Sequence, residues 1–125
     1  MANEISMSAS VKVTATNFAE SFNPGAVSID LASSAGAGGT QPIGTSVEAI
    51  VKGDTAAGGV FFFRNIDETN YVEIGRTSNG ATNGIFYPFV KLLAGEFAVG
   101  RLASADVFAR ANTAGIVLQY RMLSP

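Results

Sequence analysis

From Ile5 onward, apolar residues take the odd positions: Ile5, Met7, Ala9, Val11, Val13 and Ala15. Ser6, Ser8, Ser10, Lys12, Thr14 and Thr16 take the even ones. Period-two alternation sustained this long predicts a strand with one face on apolar neighbours and the other on water. At Asn17 the phase slips, and Phe18 and Phe22 fall on the even set. A one-residue slip exchanges the two faces, so a bulge or turn is expected near Asn17 and Phe18. Asn23-Pro24-Gly25 reads as a turn, after which Val27, Ile29 and Leu31 resume the alternation in a second strand.

Residues 32–44, ASSAGAGGTQPIG, break the pattern. Small side chains and glycine bury little and fix little, so a flexible loop is expected, a connector or a segment that orders against a partner. It lacks the Lys-Ser or Lys-Thr that a phosphate loop places after its glycines. Val47 to Val51 predicts a short strand and residues 53–59 a turn. Val60 to Arg64 and Tyr71 to Thr77 predict two strands of a hairpin around the polar turn Asn65 to Asn70. Two Asn-Gly pairs in residues 78–84 favour positive φ. Ile85 to Leu92 is a strand interrupted by Pro88, which points to an edge or a bulge. Phe97 to Leu102, a short strand near Val107 to Ala109, and Ile116 to Met122 complete the chain. No segment carries convincing helical periodicity. The expectation is an all-β fold, an antiparallel β-sandwich or jelly roll of about eight short strands.

Composition sets the limits on this picture. A chain of 125 residues, 47% of them hydrophobic, suits one domain, 1–125, that folds without metal or disulfide. Eight Lys and Arg against ten Asp and Glu are scattered without a basic stripe, so no nucleic-acid contact is expected. Neither a signal-peptide pattern nor a long apolar run is seen, and no membrane partner is expected. The absence of His and Cys removes the commonest general base, zinc ligand and thiol nucleophile, and the acids occur mostly singly. No enzymatic activity, cofactor or catalytic residue is therefore expected. The one cluster of oxygen ligands is the turn Asn65–Asn70, where Asp67, Glu68 and the Asn70 carbonyl invite a calcium reading. The spacing is not that of a helix-loop-helix calcium loop, and Asx-type capping by Asn65 and Asp67 is the better account.

Aromatic residues are the remaining signal. In one strand Phe61 and Phe63 share a face and Phe62 takes the other, and Phe86 is likewise opposed to Tyr87. Strands with aromatics on both faces imply a second apolar surface, of the kind that marks protein contact. The interface candidates are Phe61, Phe62, Phe86, Tyr87 and Phe89, joined by Gly36, Gly38 and Gly39 of the small-residue segment. A carbohydrate-binding reading would instead use Tyr71, Tyr87 or Tyr120 as stacking platforms, although Trp is absent.

Residues 61–123 carry FFFRNIDETNYVEIG, then GIFYPFVKLLAGEFAVGRL and FARANTAGIVLQYRML. With its N-x-D-x-T-N-Y turn, L-x-A-G-E turn and terminal Tyr-Arg pair, this stretch resembles small virion structural proteins of tailed bacteriophages. The closest fit in size is the capsid cement or decoration class. The resemblance implies a compact β-sandwich or jelly roll assembled in the host cytoplasm onto the virion. It also implies the major capsid protein as partner and self-association as a homotrimer. A tail, baseplate or fibre component is the neighbouring alternative. Segment 1–16 is expected to be an extended arm able to pair with a neighbouring chain by β-addition.

Overall fold

A computed structural model describes residues 3–31, 35–55, 59–104 and 106–124. Residues 1 and 2 of the expected arm, 32–34 of the expected loop and 56–58 of the expected turn lie outside the described residues. Among the described residues there is no helix, and every strand pairing is antiparallel.

Eight strands make a two-sheet sandwich. The first sheet holds β5 (Gly36–Ile43), β7 (Val60–Asn65), β10 (Phe97–Arg101) and β12 (Ile116–Leu123), in the order β10-β7-β12-β5. The second holds β6 (Glu48–Ala49), β8 (Val72–Thr77), β9 (Phe86–Leu92) and β11 (Phe108–Ala111), in the order β6-β11-β8-β9. Strand β12 is the axis of the first sheet, and its burial alternates strictly along Ile116, Leu118, Tyr120 and Met122. These side chains meet Ile43 and Phe63 of their own sheet and Val72, Ile74, Leu92, Ala109 and Ala111 of the facing one. That apolar layer is the core expected between the inner faces of a sandwich. Tyr120 brings a hydroxyl into it and donates to the Val51 carbonyl at 2.8 Å, as a buried phenol requires. Its ring is therefore core, which removes it as a sugar platform.

The expected hairpin of residues 60–77 does not form, because β7 and β8 lie in opposite sheets. Residues 65–71 instead carry the chain across the edge of the sandwich. Asn65, fully buried, holds this corner: its Nδ2 donates to the carbonyls of Asn70 (2.8 Å) and Leu92 (3.1 Å). The expected flexible loop is likewise corrected over residues 36–43. Every residue from Gly36 to Ile43 is paired with β12, from Leu123 to Ile116. A long, regular neighbour supplies the hydrogen-bond partners that the segment's composition does not advertise. Glycine also serves this strand, since a Cβ on Gly38 would come within 2.5 Å of the Arg121 Cδ lying across it. Pro88 falls on β9, the edge of the second sheet, opposite a bulge between Ile74 and Gly75. An edge is where a residue without an N–H does least harm.

The N-terminal residues form a separate ribbon. β1 (Ile5–Met7) pairs with β4 (Val27–Ile29), and β2 (Val11–Ala15) pairs with β3 (Phe18–Phe22). Of the bulge or turn expected near Asn17 and Phe18, the structure has the turn, which closes the β2–β3 hairpin. Segment 1–16 is therefore not a single extended arm over its described residues, since its strands are paired with their own downstream partners. The chain has twelve strands among the described residues, more than the eight or so expected, and the additional four are the ribbon.

Candidate interaction surface

The ribbon has two chemically different faces. Its cross-strand pairs Val11–Phe22, Val13–Glu20 and Ala15–Phe18 share one face, and Lys12–Ser21 and Thr14–Ala19 share the other. The phase slip at Asn17 thus places Phe18 and Phe22 beside the odd-numbered apolar residues. At its base this odd-numbered set is seated: Ile5 is only 7% exposed. Ile5 and Met7 line a cleft of about 310 Å³ with Val60, Phe62, Phe97 and Val99 of the first sheet's outer face. Ala9 and Val11 line a more open groove of about 660 Å³ over Lys91, Leu92 and residues 95–99. Farther out the covering ends. Val11, Phe18 and Phe22 are 58%, 52% and 55% exposed.

The outer face of the first sheet is the other half of the surface. Cross-strand registers lay it out in rows: Phe97, Arg64, Gln119 and Thr40, then Val99, Phe62, Arg121 and Gly38. The next row is Arg101, Val60, Leu123 and Gly36. Each row mixes apolar or small residues with one arginine. Phe62 and Phe97 stack with ring centroids 6.2 Å apart, and Phe97 remains 52% exposed. Among the described residues the ion pairs are Lys52–Asp106 and Arg110–Glu73, and neither involves Arg64 or Arg121.

The sequence-derived candidates scatter over this architecture. Phe62, Gly36 and Gly38 share the outer face just described, with Phe62 and Gly38 flanking Arg121 in one row. Phe61 turns inward, stacks on Phe63 at 4.7 Å and packs against the core, so it is not an exposed contact residue. Gly39 lies on β5 with φ +124° and forms no part of the aromatic patch. Phe86, Tyr87 and Phe89 sit on β9, in the opposite sheet. Arg110 lies over the Phe86 ring (4.9 Å), Arg76 over Tyr87 (5.3 Å), and Lys91 over Tyr71 (4.1 Å). These cations occupy ring faces that a sugar or a partner would use. Phe89 is 66% exposed beside the bulge, apart from the Phe62–Phe97 pair.

The turn Asn65–Asn70 has the capping role expected of it. The Asp67 N–H donates to Asn65 Oδ1 (3.0 Å), and Asp67 Oδ2 accepts from the N–H groups of Thr69 (2.9 Å) and Asn70 (2.7 Å). Those two backbone donors hold the Asp67 carboxyl below its usual pKa of 3.8. The oxygen a cation would use is thus engaged by the backbone, and no group of three or more acidic residues able to hold a metal occurs among the described residues.

Phe18, Phe22, Phe97, Val99 and Arg121 were not singled out from sequence. Their signal was present as the slip at Asn17 and the alternation of residues 97–101. What was missing was which of these faces the core leaves uncovered. Compared with protein-family models, curated proteins and solved structures, the chain matches none.

Proposed function

We propose that this chain is a non-enzymatic structural protein of a tailed-phage virion, a cement protein that binds the outside of the capsid shell and stabilises it. The observation that carries this reading is the ribbon, whose apolar face extends beyond the core and leaves two phenylalanines more than half exposed. Burying an aromatic or aliphatic side chain fully is worth roughly 1.5–3 kcal/mol, so such a face is stabilised by a protein partner. The family resemblance over residues 61–123 supplies the identity of that partner, the major capsid protein. We also read the sheet orders β5-β12-β7-β10 and β6-β11-β8-β9 as a jelly roll, in which the first strand of the sandwich lies beside the last.

The test is cosedimentation of the purified chain with tailed-phage heads before and after expansion. Saturable binding to expanded heads, weakened at least tenfold by Phe18→Ser with Phe22→Ser, is the expected result. Binding to neither form overturns the proposal. Antibody label confined to the tail in electron micrographs of virions overturns the capsid placement in favour of a tail component.

A further inference from the structure

The structure assigns the free edge of β10 as a strand-docking site: an extended segment of another protein, apolar at alternate positions, pairs with the main chain of Phe97 and Val99. This edge is a surface apart from the ribbon's bare face, and the inference is tested without any capsid.

The direction of the β10 main chain follows from its two ends. The Asn65 N–H donates to the Glu96 carbonyl (3.0 Å), and the Leu102 N–H donates to the Gly59 carbonyl (2.8 Å). Both pairs continue the antiparallel register of β10 with β7. Bonded pairs in such a ladder recur at every second residue, so Ala98 and Gly100 aim their N–H and C=O groups at β7. Phe97 and Val99 aim theirs the other way, where the sheet has no further strand. Among the described residues, the main chain of neither has a partner.

The space beside that edge has the chemistry of a missing strand. It is the groove of about 660 Å³ lined by residues 97–99 and by Ala9, Ser10 and Val11. Ser8, Ala9 and Ser10 lie between β1 and β2, belong to no ladder, and make no main-chain hydrogen bond among the described residues. Donors and acceptors therefore stand unpaired on both linings, as at a gap in a sheet. The charged groups of the groove are engaged: Lys91 lies over the Tyr71 ring (4.1 Å), and Glu96 accepts from the Leu93 N–H (2.7 Å). What remains for a ligand is main chain, with the side chains of Phe97, Val99 and Val11 to seat alternate apolar residues. That is the chemistry of strand addition.

The other edges of the sandwich are protected. β9 carries Pro88 beside a bulge. On the β5 and β6 side, Gln41 Nε2 donates to the Ala49 carbonyl (2.9 Å) and its Oε1 accepts from the Val51 N–H (3.0 Å), which ties the two sheets together. β10 has neither device, and an edge without one accepts strands. The donor is a single segment of another protein. A second copy would have to present one of its own sheet edges, and so bring a whole sheet into a groove that residues 9–11 also line.

The experiment is hydrogen exchange measured by nuclear magnetic resonance on the whole chain, with and without a synthetic peptide of alternating threonine and valine ended by lysines. With peptide, the amide protons of Phe97 and Val99 should exchange at least tenfold more slowly. Those of Ala98 and Gly100, already bonded to β7, should change less than twofold. Val99→Pro removes a donor that β7 does not use, so it should keep the far-ultraviolet circular dichroism spectrum and abolish the protection at Phe97. A peptide methylated at every backbone nitrogen should protect neither position, whether or not the proline variant folds. Phe97 and Val99 amides that stay unprotected, that are already protected without peptide, or that the methylated peptide protects equally overturn the inference. Protection that grows with protein concentration alone places a second copy in the groove and overturns the choice of partner. None of these outcomes bears on cosedimentation with phage heads, which rests on Phe18 and Phe22.

Discussion

At the scale of single residues, Asn65 shows how a polar side chain organises an apolar fold. It is completely buried, yet its amide gives two hydrogen bonds and accepts one, and its main chain joins Glu96 and Gly95. Asn65→Ala removes three side-chain bonds and leaves the Leu92 carbonyl without its amide donor. At about 1 kcal/mol per bond, the expected loss is about 3 kcal/mol, measured by urea denaturation. Asn65→Asp should be no milder at neutral pH, because a carboxylate would replace the amide that faces two carbonyl oxygens. Asp67, by contrast, is solvent-accessible and acts through charge. Its folded pKa lies below its usual 3.8, so its contribution is complete above that value and is lost as pH falls from there through the lowered folded value. Asp67→Asn should flatten the acid limb of the stability curve in that window and leave its slope unchanged above it. A parallel acid limb in the variant would exclude this role. The Asx pattern of Asn65 and Asp67 was legible in sequence because it is local. The bond to Leu92 was not, since its acceptor lies 27 residues away.

At the scale of elements, pattern and partner contribute separately. Alternation identified strand character in residues 5–16 and 27–31, and Pro88 pointed to an edge or a bulge on β9, because side-chain period and a missing N–H are properties of the segment itself. Strand β5 carried no such mark. Glycine contributes no face, and the segment is a strand because β12 offers it eight consecutive partners. The β8–β9 pair gives a direct test of tight backbone packing. A Cβ on Gly75 would overlap the Tyr87 carbonyl oxygen and crowd Pro88 Cα. These are backbone atoms that cannot rotate away. Gly75→Ala should cost about 1–3 kcal/mol, the range for forcing extra volume into a packed site. The comparison is Gly80→Asn, where nothing lies within 4 Å and φ is +70°; asparagine tolerates that conformation, so its denaturation midpoint should move little. Equal losses at the two positions would contradict the close approach at the bulge.

At the scale of the whole molecule, the sandwich and the ribbon divide stability from contact. The buried core cluster runs from Ile43 to Met122, and no ribbon residue belongs to it. Removing residues 1–31 should therefore leave a cooperative thermal transition and a β-rich circular dichroism spectrum. The melting temperature should fall by several degrees, since Val60 and Leu123 lose the cover of Ile5. Loss of cooperative unfolding would show that the ribbon is part of the fold's foundation. The same truncation removes Phe18 and Phe22, so cosedimentation with expanded heads should disappear with it.

By itself the sequence determined the all-β class, the alternating faces, a break in the strand near Asn17 and the capping chemistry of residues 65–70. Each follows from side-chain period or from hydrogen bonds spanning a few residues. Only the tertiary structure decided that β7 and β8 part into opposite sheets, that residues 36–43 are a strand, and that the ribbon's apolar face goes uncovered while Phe61 does not. Those outcomes depend on which distant strand supplies the next ladder of hydrogen bonds and where the facing sheet ends. Period two says that a strand has two faces, and only the assembled sandwich decides which of them meets the core.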